Sequence, residues 1–243
     1  MDKKEVSMAA IFTAFVAVST MSFTLYIPAT RGYFNLGEAF VYISAMLGGP
    51  VVGALAGGLG SAFADIALGY SIYAPGTLVI KGLEGFIVGY IFRKYIGRTA
   101  EKTWRIIGIS LALLISFLLV YVGLNFFTGE AEATISIPGI NLSIPIYFTI
   151  YHMIWLILSL AVFILLSFIV LRVDPSVSAS VLGTTLGGLT MIAGYFLYEA
   201  FALRLGLAVA TVEVPFNTAQ FLIGTLVSIS VVQAVKKVLG VGT

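Results

Sequence analysis

The 243-residue chain is 60% hydrophobic and only 10% charged, with a mean hydropathy of +1.08. That lies far from the roughly 25% charged content of a soluble domain, so the sequence reads as an integral membrane protein. Its net charge of +2 is scattered over short loops, which argues against a nucleic-acid surface. The lack of cysteine excludes disulfides and thiolate chemistry, and one histidine, His152, argues against most zinc or haem sites, so no metal or other cofactor is implied.

The first apolar run, Met8 to Ile27, follows Asp2-Lys3-Lys4-Glu5. It reads as a retained helix rather than a signal peptide, because no small-x-small cleavage site precedes the equally apolar remainder. Leu36 to Leu47 is short for a span, and Val51 to Leu68 follows after Gly48-Gly49-Pro50, a helix stop and a proline start. The fourth run, Pro75 to Phe92, carries Lys81 and Glu84 inside it. Two long runs come next, Ile106 to Phe127 and Ile146 to Leu171, separated by "TGEAEATISIPGINLSIP", an expected exposed loop or small hairpin. Spans at Val181 to Leu203 and Pro215 to Val235 complete an expected set of eight, the second of them short.

With the amino terminus inside, the cytoplasmic side receives Lys3, Lys4, Arg93, Lys94, Arg98, Lys102, Arg105, Arg172, Lys236 and Lys237. The outer side receives only Arg31 and Arg204, an asymmetry that follows the positive-inside rule and places both termini in the cytoplasm. The prolines fall at or beyond predicted helix ends, and three GxxxG pairs, Gly53/Gly57, Gly85/Gly89 and Gly183/Gly187, read as close helix packing. The expected unit is a single polytopic membrane domain over residues 1–243.

This orientation carries scattered polar residues into the outer half of the membrane. Asp65 lies near the outer end of the third span, Lys81 and Glu84 two to three turns below the outer end of the fourth, and Glu199 near the outer end of the seventh. Asn217 and Gln220 enter from the outer end of the eighth. The i,i+3 and i,i+4 spacings of Lys81 with Glu84, Tyr195 with Glu199 and Asn217 with Gln220 put each pair on one helix face, able to line one cavity. Charges at membrane depth cost at least about 2.5 to 3.5 kcal/mol each and usually face a bundle interior or a wet cavity. A ligand pocket is one reading; an ion pair of Lys81 with Glu84 serving as packing glue is the other. Tyr26, Tyr33, Phe34, Tyr70 and Tyr73 could stack on a flat ring or form an interfacial belt. His152, within "IYHMIWL", reads as an interfacial residue.

No Gly-x-Ser-x-Gly elbow, HExxH or Walker A sequence is present, so neither an enzyme nor an intrinsic ATPase is indicated, and no selectivity-filter motif suggests a channel. No catalytic residues are assigned.

The stretch "GYFNLGEAFVYISAMLGGPVVGALAGGLGSAFADIALGYSIYAPGTLVIKGLEGFIVGYIFRK", Gly32 to Lys94, resembles the substrate-binding S component of energy-coupling factor (ECF) vitamin transporters, of the riboflavin and hydroxymethylpyrimidine type. "GYFLYEA" and "PFNTAQFLIGTLVSISVVQAVKK" are similar to its last two spans. The resemblance implies an all-α membrane protein with a six-helix S-component core, here residues 8–95 and 180–238; the sequence departs from that pattern in two further transmembrane helices inserted at about 104–172. It implies a vitamin or precursor captured from outside, a T component and two ATPase subunits as partners, and residence in a prokaryotic cell membrane. An AxxxA seam that docks the T component matches Ala10 and Ala14. Substrate contacts carry over to Lys81, Glu84, Asn217 and the Asn35 region, and the expected site is completed by Asp65, Tyr73, Tyr195, Glu199 and Gln220. The alternative is a stand-alone proton-coupled secondary carrier for a small polar solute, using Asp65, Glu84 or Glu199 as the proton site.

Overall fold

The computed structural model describes residues 2–96, 101–137, 142–172 and 177–239. It divides into two compact units, residues 1–100 with 174–243, and residues 101–173.

In the first unit, α1 (Lys3–Ser22) opens on a capping box. The Asp2 carboxylate accepts from the Glu5 amide at 2.7 Å, and the Glu5 carboxylate accepts from the Asp2 amide at 3.2 Å, satisfying two amides of the helix start. The predicted span Met8 to Ile27 is corrected here: the helix ends at Ser22, and Thr24–Ile27 is a strand, β1. β1 pairs antiparallel with β2 (Gly32–Asn35), so its backbone groups find ladder partners and no longer need a helix.

Helix α2 (Glu38–Gly48) has 11 residues, a length of about 16 Å, roughly half a bilayer core. Nearly all of it is buried, because α1, α3 (Pro50–Leu68), α4 (Ala74–Tyr95) and α9 (Glu213–Leu239) all pack against it. A helix enclosed on every side must be apolar all round, and "AFVYISAML" is. Its end at Gly48 is held by Arg93, whose Nη2 donates to the Gly48 carbonyl at 2.8 Å. Gly49 turns the chain at φ +85° into Pro50, the first residue of α3.

Helices α3 and α4 meet backbone to backbone. A Cβ placed on Gly85 would lie 2.2 Å from the Gly53 carbonyl oxygen, so only glycine permits this crossing. α4 also packs against α7 (Ser178–Leu197), where Gly183 and Gly187 face Val88. The predicted span Val181 to Leu203 is corrected too: α7 stops at Leu197 and passes into a π turn, Tyr198–Ala202. A short helix, α8 (Leu207–Thr211), then leads into α9.

The second unit contains α5 (Glu101–Phe126), the antiparallel strands β3 (Gly129–Ile137) and β4 (Leu142–Ile150), and α6 (His152–Arg172). The expected loop or small hairpin is a hairpin of nine-residue strands, so the sixth span begins at His152 and not at Ile146. α5 and α6 are joined by indole bonds at both ends. Trp104 Nε1 donates to the Val170 carbonyl at 3.1 Å and Trp155 Nε1 to the Phe127 carbonyl at 3.0 Å, with Ser159 Oγ donating to the Ser116 carbonyl between them. His152 is the exposed first residue of α6.

Among the described residues, seven helical stretches are long and apolar enough to cross a membrane, and α2 is the short apolar helix beside them. Large apolar side chains such as Phe63, Ile66, Val79 and Leu226 are exposed, as a lipid-facing surface requires. The protein is a multi-pass, predominantly helical membrane protein, with two antiparallel hairpins among the described residues.

Candidate functional site

One end of the first unit carries a cavity of about 340 Å³, part of it open to the outside. The β1–β2 hairpin contributes Gly32, Tyr33 and Asn35; the end of α3, Asp65; the start of α4, Tyr73 and Thr77. The end of α7 and its π turn supply Tyr195 and Glu199, and the start of α9 supplies Glu213, Asn217 and Gln220. The opposite ends of α4 and α9 carry Arg93 with Lys94 and Lys236 with Lys237, and the Lys236 ammonium lies 4.7 Å from the Phe92 ring centre. The positive-inside bias assigns that cationic end to the cytoplasm, so the cavity opens outward.

The hairpin is fastened over the cavity by polar contacts to three elements. Tyr33 Oη donates to Asp65 Oδ1 at 2.6 Å, and the Asn35 amide donates to Gln220 Oε1 at 2.9 Å. Tyr73 Oη donates to the Thr30 carbonyl at 2.8 Å, and the Thr30 hydroxyl donates to the Glu213 carboxylate. A Cβ on Gly32 would lie 2.3 Å from Glu213 Oε1 and would push that carboxylate off its present position. Burial together with the Asp65 charge pushes the Tyr33 hydroxyl well above its usual range, and burial does the same to Tyr73. Both phenols therefore remain hydrogen-bond donors. Tyr33 also lies against Tyr70 with ring centres 4.3 Å apart.

Glu199 differs from its neighbours. It is fully buried, and neither carboxylate oxygen has a hydrogen-bond partner. It sits on the π turn, where the Leu203 amide bonds back to the Tyr198 carbonyl at 2.9 Å across five residues. Such widened turns are frequent at functional sites because they re-aim one side chain without breaking the helix. The Asn217 side-chain nitrogen, buried on the same cavity, is likewise without a partner.

The structure brings Asn35, Asp65, Tyr73, Tyr195, Glu199, Asn217 and Gln220 to the cavity wall. Lys81 and Glu84 are not on it. Lys81 is 3% exposed and is held between Glu38, with which it forms a close ion pair, and Glu84, whose Oε2 lies 3.1 Å from Nζ. Tyr42 Oη closes the cluster by donating to Glu84 Oε1 at 2.9 Å. Lys81 stands behind the wall, its ammonium 5.8 Å from the ring centre of Tyr195, and Tyr195 Oη in turn donates to Thr77 Oγ1 at 3.1 Å. Ala10 and Ala14 are far simpler in setting: both are exposed on α1.

Sequence reasoning passed over Glu38, Tyr42, Thr30, Thr77 and Glu213. Two of these had a signal. Glu38 heads a short apolar helix, and Glu213 stands two residues before the proline that marks a helix start. The other three are ordinary residue types whose position only packing reveals.

The wall thus combines three carboxylates, Asp65, Glu199 and Glu213, with tyrosines and amides and no basic side chain.

Comparison with known proteins adds to this geometry. The family described as ECF-type riboflavin transporter, S component, matches residues 1–146. An uncharacterized protein in a gap 3' region of Pyrococcus woesei is 52% identical over 75 residues, covering 31% of this chain and 50% of that protein. The thiamine precursor transporter HmpT of Lactococcus lactis subsp. cremoris (strain MG1363) is 30% identical over 94 residues, covering 38% of this chain and 57% of that protein. The chain thus spans about half the length of these curated relatives.

Proposed function

Since the chain belongs to the family of ECF-type riboflavin transporter S components, we propose that it is the substrate-binding subunit of an ATP-driven importer that captures a vitamin or vitamin precursor from outside. Family membership supports a role in transport rather than catalysis. The observation that carries the finer reading is the outward cavity, which gathers polar side chains from four helices and a hairpin, whereas exposed side chains such as Phe63, Ile66, Val79 and Leu226 on the helices are large and apolar. In this reading the residues on the cavity wall contact the cargo, and the cluster of Lys81 with Glu38 and Glu84 keeps α2 and α4 in place beneath them.

The T component and two ATPase subunits are the proposed partners, and the exposed Ala10 and Ala14 on α1 form the proposed docking seam, where small side chains let a second helix approach closely. Residues 101–173 are proposed to be an addition to a six-helix core made by α1 to α4, α7 and α9. The family match continues through α5 into β4, so likeness to the family does not by itself mark where such an addition begins.

Mass spectrometry of small molecules that co-purify with the protein tests the cargo reading, and a heterocyclic vitamin or precursor is expected. Uptake in proteoliposomes that proceeds without the ATPase partners and follows a proton gradient would overturn it in favour of a secondary carrier.

A further inference from the structure

We propose that the cargo is bound as a cation, presenting an edge of N–H donors to Glu199. This rests on the reading of the cavity as the cargo site and gives that site a charge preference.

Burying a carboxylate with neither oxygen paired is costly, and such groups are ordinarily matched by a cation or by donors. Glu199 is 0% exposed with both oxygens free, and Glu213 lines the same cavity. Lys81 cannot serve as the counter-ion, because Glu38 and Glu84 already engage it outside the lining. The basic residues nearest in sequence to this end, Arg31 and Arg204, are exposed and do not line the cavity. Three acids and no base therefore face whatever enters.

Two free oxygens on one carboxylate match two parallel N–H groups, the geometry of an amidinium or of a ring nitrogen protonated beside an amino group. Tyrosines of the wall, Tyr33, Tyr73 and Tyr195, add aromatic surface to the same cavity, where a flat cation gains from the ring faces.

The test uses the purified full-length protein in nanodiscs and a pair of isosteric probes, cationic benzamidine and neutral benzamide, with riboflavin as a larger neutral comparison. Benzamidine is expected to bind at least about tenfold more tightly than benzamide, and E199Q is expected to remove that preference. Equal binding of the two probes, or failure of both, overturns the inference; if riboflavin still binds, the cargo site stands and only its charge preference falls. A preference that survives in folded E199Q overturns the role of Glu199. If none of the three binds and no heterocycle co-purifies, the cargo-site reading falls as well. The wild-type comparison needs no variant, so a failure of E199Q to accumulate does not protect the proposal.

Discussion

Glu84 Oε2 lies 3.1 Å from the Lys81 ammonium, three residues away on α4, and neither side chain reaches the cavity wall. The pair is one half of a cluster whose other half is Glu38 on α2, so a single buried cation joins two helices. Removing one member of a buried ion pair is commonly worth about 3 to 5 kcal/mol of stability, because the remaining charge stays desolvated. K81M should therefore lower thermal stability in detergent by several degrees or prevent accumulation, since it leaves two carboxylates facing each other. The triple variant K81M/E38Q/E84Q should recover part of the loss. A K81M protein as stable as wild type would show that the cluster contributes nothing to holding α2.

The hairpin latch should be felt in ligand affinity more than in stability. Tyr33→Phe removes the donor to Asp65 Oδ1 and leaves the ring in place, a loss of about 1 to 3 kcal/mol for a hydrogen bond to a buried charged group. The expected outcome is roughly five- to hundred-fold weaker cargo binding by titration calorimetry, with near-normal elution in size-exclusion chromatography. Unchanged affinity would mean that the hairpin does not close on the cargo.

At the α3–α4 crossing, Gly85→Leu has no room, because the Gly53 carbonyl lies where the first side-chain carbon would go. The variant should fail to yield monodisperse protein in detergent. Gly69→Ala is the control for space, since nothing lies within 4 Å of a Cβ there; only the backbone strain of its φ of +89°, about 1 to 3 kcal/mol, is expected.

Ala10→Trp combined with Ala14→Trp changes two exposed positions on α1. Cargo binding to the isolated protein should be intact, whereas uptake in cells that supply the T component and ATPases should be abolished. Uptake at the wild-type rate would remove α1 from the docking surface.

A reporter fused after Thr243 should be active only in its cytoplasmic form, as the placement of Lys236 and Lys237 requires. Activity on the outer side would reverse the whole orientation and put the cavity on the cytoplasmic face.

Hydropathy and charge along the chain were sufficient for the class of protein, the number of long apolar helices and the small-residue seams. These are local quantities: each span must be apolar by itself, and each GxxxG pair records a close approach wherever its partner is. Helix ends were less legible. Thr24–Ile27 and Ile146–Ile150 are as apolar as their neighbouring spans, and they become strands because each finds an antiparallel partner, which hydropathy does not encode.

Polar residues show the same division more sharply. That Lys81, Glu84, Asp65 and Glu199 must be satisfied inside a bundle follows from their types and positions, since charge in lipid is costly wherever it falls. Which of them face a cavity and which face each other depends on α2. That helix is only 11 residues long, and its first residue, Glu38, takes the cation that the sequence offered to a ligand. The sequence by itself thus determined a membrane transport protein with polar groups in its outer half. Only the tertiary structure decided that Lys81 is spent within the bundle and that an acidic wall, with Glu199 unpaired, lines the cavity, because pairing is a property of distances between helices and not of any one of them.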